Sequence, residues 1–200
     1  MTEALVHLKR ADPVLRRIIT EVGPYRIEFR DPGFETLVKS IVYQQLSGRV
    51  ASVIFNRLVH AAGGTITPES ILNVRPVRMR AAGLSAQKTA YIRDLARQTR
   101  DRRVIFEELP DLSDEQVTER LTQVKGIGVW TAHMFLIFAL RRPNVLPTGD
   151  LGIRNAIRRA YALTVLPKPA EIETLAEPWR PYRTVASWYL WRSLEGDANL

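Results

Sequence analysis

Between Ser113 and Leu140 the chain reads as a capped amphipathic helix, a Gly-Ile-Gly turn and a second helix that is apolar almost all round. Ser113-Asp114-Glu115-Gln116 has the form of a capping box, in which two side chains satisfy the orphan backbone donors of a helix start. Val117, Leu121 and Val124 then mark one buried face. A helix such as Val129 to Leu140 has no polar face to give to water, so it predicts a buried, central position. Asp12-Pro13 predicts a helix start, with the carboxylate on the free amides and proline in the first turn; Asp31-Pro32 predicts the same device before Phe34, Leu37, Val38 and Ile41. After a break near Gln44 to Gly48, a helix through Val50, Ile54 and Leu58 stops at Gly63-Gly64. Ser85 caps another whose inner face carries Tyr91, Ile92 and Leu95. Short turns follow Pro68 and Pro76, and helices are expected over 150–162 and 180–194. Strand-type alternation extends no further than Tyr25 to Phe29. The expectation is an all-α fold of about ten helices in two lobes with an active-site cleft between them. Residues 1–30 with 129–200 form one lobe and residues 31–128 the other, and the hairpin at 114–140 lies on the boundary.

Charge narrows the partner. Lys and Arg number 29 against 21 Asp and Glu, a net charge of +8, which favours a polyanion, nucleic acid ahead of an anionic membrane. The chain contains no cysteine, which excludes disulfides, a thiol nucleophile, thiolate zinc and cysteine-ligated iron–sulfur clusters. The longest apolar run, Met134 to Leu140, is far shorter than a bilayer span, and Met1-Thr2-Glu3-Ala4 lacks the pattern of a secretory signal; a cytoplasmic monomer is expected. His7, His60 and His133 are scattered singly, so no metal held by side chains is expected.

Two places carry chemistry. In Val124-Lys125-Gly126-Ile127-Gly128-Val129-Trp130 the glycines allow positive φ and close approach of a phosphate. The amides of Gly126, Gly128 and Val129 would face outward at a helix start, with Lys125 as counter-charge. A glycine C-cap between packed helices uses the same residues. The second place is Asp150, in Leu146-Pro-Thr-Gly-Asp150-Leu151-Gly152-Ile-Arg154. An aspartate at a helix start is first a cap, and the helix end and Arg154 also favour a negative charge there.

The block from Leu121 to Tyr161 resembles the helix–hairpin–helix DNA glycosylase superfamily, named for its hairpin, a Gly/Pro-rich loop and an aspartate. Val124 to Ala132 is similar to that hairpin, and Asp150 falls where the family keeps its catalytic carboxylate. Ile41-Val-Tyr-Gln44-Gln45-Leu46-Ser47 resembles the loop that fills the gap left by an extruded base, and Gly83-Leu-Ser-Ala-Gln-Lys88 with Tyr91-Ile92 fits a further segment. The likeness spans roughly residues 30 to 195. Branches that also nick the backbone place a lysine at position 130 for Schiff-base chemistry. Trp130 resembles instead the monofunctional 3-methyladenine DNA glycosylase II branch, in a compact form without the amino-terminal β-domain, and the missing cysteines agree with a branch that has no iron–sulfur cluster. Family members often carry aromatics where Met134 and Leu151 stand here.

The resemblance implies excision of alkylated, cationic purines such as 3-methyladenine and 7-methylguanine from duplex DNA, without strand cleavage. A base that already carries positive charge leaves neutral, so one carboxylate, Asp150, suffices to stabilise the oxocarbenium-like sugar and orient water. Trp130 and Trp191, with Met134, His133 and Leu151, would form the base pocket; His133 reads more readily as a core histidine, and Trp179 and Trp188 read as core. Gln45, with Gln44 and Leu46, is the candidate plug or wedge, a polar helix end being the plainer reading. Lys125, Gly126, Ile127, Gly128 and Val129 would hold phosphate, with Lys88 or Arg49 as further cations. No cofactor is implied beyond a monovalent cation that the hairpin backbone could bind. The alternative is a non-catalytic hairpin module that binds abasic or distorted DNA.

Overall fold

A computed structural model describes residues 1–195. Twelve α-helices are found among them: α1 (Thr2–Ala11), α2 (Pro13–Val22), α3 (Phe34–Tyr43), α4 (Gly48–Ala61), α5 (Pro68–Asn73), α6 (Pro76–Ala81), α7 (Ala86–Arg100), α8 (Asp114–Thr122), α9 (Val129–Phe138), α10 (Leu151–Ala160), α11 (Pro169–Leu175) and α12 (Arg183–Glu195). The described residues form no strand, so the all-α expectation holds. Tyr25 to Phe29 is extended but pairs with nothing as a ladder. The two helices beyond the expected ten or so have weak sequence signals: α1 has no side-chain cap, and α11 is only 7 residues long.

The caps explain the starts. Asp12 Oδ1 accepts from the Val14 and Leu15 amides at 2.8 and 3.1 Å, Ser85 caps α7, and Ser113 with Gln116 closes the capping box of α8. Asp31 does not cap α3. Gly33 is the capping residue, and the Asp31 carbonyl instead accepts from Thr36 Oγ1 at 2.7 Å. No helix among the described residues is long and apolar enough to cross a membrane.

The chain divides into two compact units, one of Met1–Phe29 with the chain from Arg141 onward, the other of Arg30–Leu140. The expected boundary after residue 128 therefore shifts, and α9 belongs to the central unit. The cause is its packing: α9 lies against α8, the Phe135 ring meets Phe106 edge-on, and the Phe138 carbonyl accepts from the Arg30 amide at 2.8 Å.

In the terminal unit α12 packs on α2 and α10 over a core of Leu8, Leu15, Ile18, Ile153, Ile157, Tyr189 and Leu190. Trp179 and Trp188 lie in that core, as the sequence reading had them. Asp12 works twice here, because its Oδ2 accepts from Trp179 Nε1 at 2.8 Å and from the Tyr161 hydroxyl. Burial and that hydrogen bond push the Tyr161 phenol well above its ordinary pKa. Trp179→Phe keeps most of the volume and removes one donor to a buried carboxylate. The expected loss is about 1.5–3 kcal/mol, or a Tm lower by roughly 3–10 °C in thermal unfolding.

In the central unit α7 packs against α3 and α5 over Leu37, Ile41, Ile71, Ile92 and Leu95. Thr131, Ala132, Phe135, Leu136 and Ile137 of α9 are buried, but its first turn emerges: Val129 is 55% and Trp130 49% exposed.

Candidate active site

In the central unit the hairpin turn follows α8 directly. Gly126 has φ +83°, and the Ile127 amide donates back to Val124 at 3.1 Å, which closes the turn. Tyr91 of α7 lies against it: a Cβ on Gly126 would stand 2.0 Å from Tyr91 Cδ2. Only this glycine is conformationally required, because Gly128 has an ordinary φ of −94° and open space around it. The amides of Gly126, Gly128 and Val129 make no hydrogen bond among the described residues and stand at the start of α9, as expected of an anion site. One hairpin residue departs from the expected role. Ile127 uses its amide within the turn and buries its side chain, so it anchors rather than donates. The Lys125 amide is taken by Asp94 Oδ2 at 3.0 Å, which leaves only its exposed side chain for an anion.

A cavity of about 570 Å³ opens beside the hairpin, within the usual size range of small-ligand pockets. Trp130, Thr131, Met134 and Phe138 of α9 line it together with Arg30, Lys39, Ser40, Tyr43, Gln44 and Gln45. Met134 shares the Trp130 face because it lies one turn further on. His133 is not among the residues that line this cavity. Two cations here went unread in the sequence: Arg30 lies 5.8 Å from the Phe138 ring centre, and Lys39 lies 5.7 and 5.6 Å from those of Tyr43 and Phe55. The spacing of Lys39 and Tyr43, one turn apart on a helix entering the Gln-Gln segment, was the available signal; for Arg30 there was none.

The Gln44–Leu46 segment leaves α3 abruptly. Gln44 is half-buried, and its Nε2 donates to the Gly126 carbonyl at 2.9 Å. That bond ties its amide to the hairpin. Gln45, at φ +57°, is exposed and Leu46 is 39% exposed, so these two are the side chains presented outward. Lys88 Nζ donates to the Val42 and Gln44 carbonyls at 2.7 and 2.6 Å, and its removal from water lowers its pKa. Two of its three N–H donors are thus engaged by backbone carbonyls. Arg49 stays exposed in the first turn of α4.

In the terminal unit Asp150 caps α10. Its Oδ1 accepts from the Ile153 amide at 2.8 Å and from Trp191 Nε1 at 2.9 Å. Trp191 thus meets the carboxylate through its N–H, a role its sequence position did not show. Gly152 makes room for that contact, since a Cβ there would lie 3.0 Å from Asp150 Oδ1 and 3.1 Å from Trp191 Cδ1. Leu151 stands 59% exposed at the first position of the helix. Arg154, expected beside the aspartate, sends its Nε to the Pro167 carbonyl at 3.0 Å. Among the described residues no three His, Cys, Asp or Glu side chains gather as metal ligands would.

A hairpin with open amides and an aspartate capping the helix beyond it define a class. The chain belongs to the HhH-GPD superfamily of base excision DNA repair proteins, whose family pattern matches residues 38–181. Within that class it is 38% identical over 200 residues to DNA-3-methyladenine glycosylase 1 of Schizosaccharomyces pombe, covering 96% of this chain and 87% of that protein. Among solved structures, the S. pombe 3-methyladenine DNA glycosylase in complex with abasic DNA superimposes with a TM-score of 0.85 at 38% identity, over 96% of this chain and 97% of that one. A DNA-3-methyladenine glycosidase from Bacillus halodurans gives 0.89 at 34% identity, over 98% and 91%.

Proposed function

We propose that the protein is a monofunctional DNA glycosylase of base excision repair. It flips alkylated, cationic purines such as 3-methyladenine and 7-methylguanine out of duplex DNA and hydrolyses the N-glycosidic bond. The observation that carries this reading is the Asp150 carboxylate, half-buried and aimed by two fixed donors, in a chain of this family.

As the bond from C1′ to the base nitrogen lengthens, its electron pair goes to the cationic base, which departs neutral, and positive charge gathers on the sugar. Asp150 offsets that charge and orients a water onto C1′; the water's proton passes to solvent. Trp130, with Met134, supplies an aromatic and polarisable surface for a cationic purine, worth roughly 0.5–2 kcal/mol per favourable contact. Leu151 and Trp191 complete the proposed base contacts. The hairpin amides with Lys125 hold the backbone phosphate, while Gln45 and Leu46 fill the vacated place in the stack.

The reaction needs no cofactor, and this chain offers no thiolate for an iron–sulfur cluster. A monovalent cation at the hairpin would share carbonyls that already accept hydrogen bonds, from Gln98 at Gln123, Ile127 at Val124 and Gln44 at Gly126. Those bonds hold the turn whether or not an ion binds. The compartment follows the substrate: genomic DNA, in the cytoplasm of a cell with a nucleoid. A monomer suffices for the chemistry.

Position 130 gives the sharpest test of the reaction type. An indole cannot form a Schiff base, so borohydride treatment during turnover should trap no covalent DNA adduct and the strand should stay intact. A trapped adduct would overturn the monofunctional reading. Trp191→Phe keeps a ring and removes the N–H that aims Asp150. Single-turnover base release should slow about ten- to a hundredfold, the equivalent of one hydrogen bond to a charged group.

A further inference from the structure

The segment that the proposed function assigns to the vacated stack is held from beneath by a cation. Lys88 is the third residue of α7, where Ser85 Oγ accepts its amide. From there its Nζ reaches the Val42 and Gln44 carbonyls at 2.7 and 2.6 Å. These are carbonyls at the C-terminal end of α3, where no intrahelical donor remains and a positive charge is favoured. On its other side the same segment is tied to the hairpin by Gln44 Nε2 on the Gly126 carbonyl at 2.9 Å. The next residue, Gln45, has φ +57°, a left-handed conformation that an L side chain keeps only when its surroundings impose it.

We propose that Lys88 is a positioning residue for base flipping: it clamps the backbone of residues 42–44 so that Gln45 and Leu46 are presented in a preformed wedge, and it does not contact DNA phosphate. The inference rests on the glycosylase reading for what the wedge does, but not for how it is held. Partial desolvation of the ammonium, which lowers its pKa, fits the two carbonyl bonds that hold it. A preformed wedge matters because misplacing an inserting group by about an ångström can cost up to a hundredfold in rate.

The test compares the wild-type protein with Lys88→Met, which keeps the aliphatic stem and removes the three donors. Three quantities are read: the salt dependence of binding to an abasic duplex, amide exchange of residues 44–46, and single-turnover release of 7-methylguanine. A clamp predicts an unchanged salt slope, faster exchange at Gln44 and Leu46, and release slowed about ten- to a hundredfold at saturating protein, with an unchanged half-saturating concentration. A phosphate contact predicts a slope smaller by about one with loop exchange unaltered. Either of those two results overturns the proposal. If the wild-type protein releases no base, the glycosylase reading fails, while slope and exchange still decide the role of Lys88. If Lys88→Met does not fold, acylation of wild-type lysines decides it. Lys88 should react more slowly than exposed Lys125 without DNA and gain no further protection from DNA; equal reactivity, or protection only by DNA, would contradict the clamp.

Discussion

Asp150→Asn is expected to lower base release by about a hundred- to a thousandfold, the loss seen when one preorganised electrostatic partner of a transition state is removed. The fold should hardly notice. Asparagine retains Oδ1 as acceptor for the Ile153 amide and the Trp191 indole, and asparagine and aspartate are equivalent N-caps. What disappears is one negative charge at a helix start, worth about 0.3–1 kcal/mol. Binding to an abasic duplex should persist or tighten slightly, because a negative group near phosphates has gone. Asp150→Ala confounds the result, since it also removes the cap at a cost of about 1 kcal/mol. Unimpaired release by Asp150→Asn would show that the carboxylate is only a cap.

Gly126→Ala is expected to be the most damaging small substitution in the hairpin. Alanine at φ +83° is strained by about 1–2 kcal/mol before any contact is counted. Its Cβ would also lie 2.0 and 2.4 Å from two atoms of the Tyr91 ring. The ring is held between α7 and the turn, so the turn must shift, and the total should reach about 3 kcal/mol or more. In thermal unfolding this is a Tm lower by roughly 6–12 °C. The same shift displaces the Gly126, Gly128 and Val129 amides, so affinity for duplex DNA should fall at least about tenfold, the equivalent of one neutral hydrogen bond. Gly128→Ala is the internal control: φ there is −94° with nothing within 4 Å of an added Cβ, so the Tm should stay within about 2 °C. Equal Tm losses in the two variants would contradict the role given to Tyr91.

What could be read from the chain was local in sequence. The capping box at Ser113, the Asp12 cap, the largely apolar α9, the hairpin turn and the Asp150 cap are each patterns short in sequence, and each stands in the structure. What could not be read depended on residues distant in the chain. Trp191 reaches Asp150 across 41 positions and Lys88 reaches Gln44 across 44. No spacing rule connects such pairs, so from the sequence Trp191 is only a ring and Lys88 only a charge. Gln44 and Gln45 looked interchangeable, yet the backbone turns at Gln45 and separates an anchored amide from an exposed one. Asp31-Pro32 imitates Asp12-Pro13, but Gly33 intervenes and takes the capping position. The hairpin that introduces α9 places the unit boundary before it, whereas Phe106, Phe135 and Arg30, distant in the chain, hold α9 in the central unit.

The most direct measurement is the identity of the product. Duplex DNA treated with a methylating agent is incubated with the purified protein, and the material released into solution is analysed by mass. Free 3-methyladenine or 7-methylguanine should appear, dependent on Asp150, with the strands unbroken until alkali is added. Binding to the same DNA with no free base released would contradict the assignment and leave the chain a recognition module for damaged DNA.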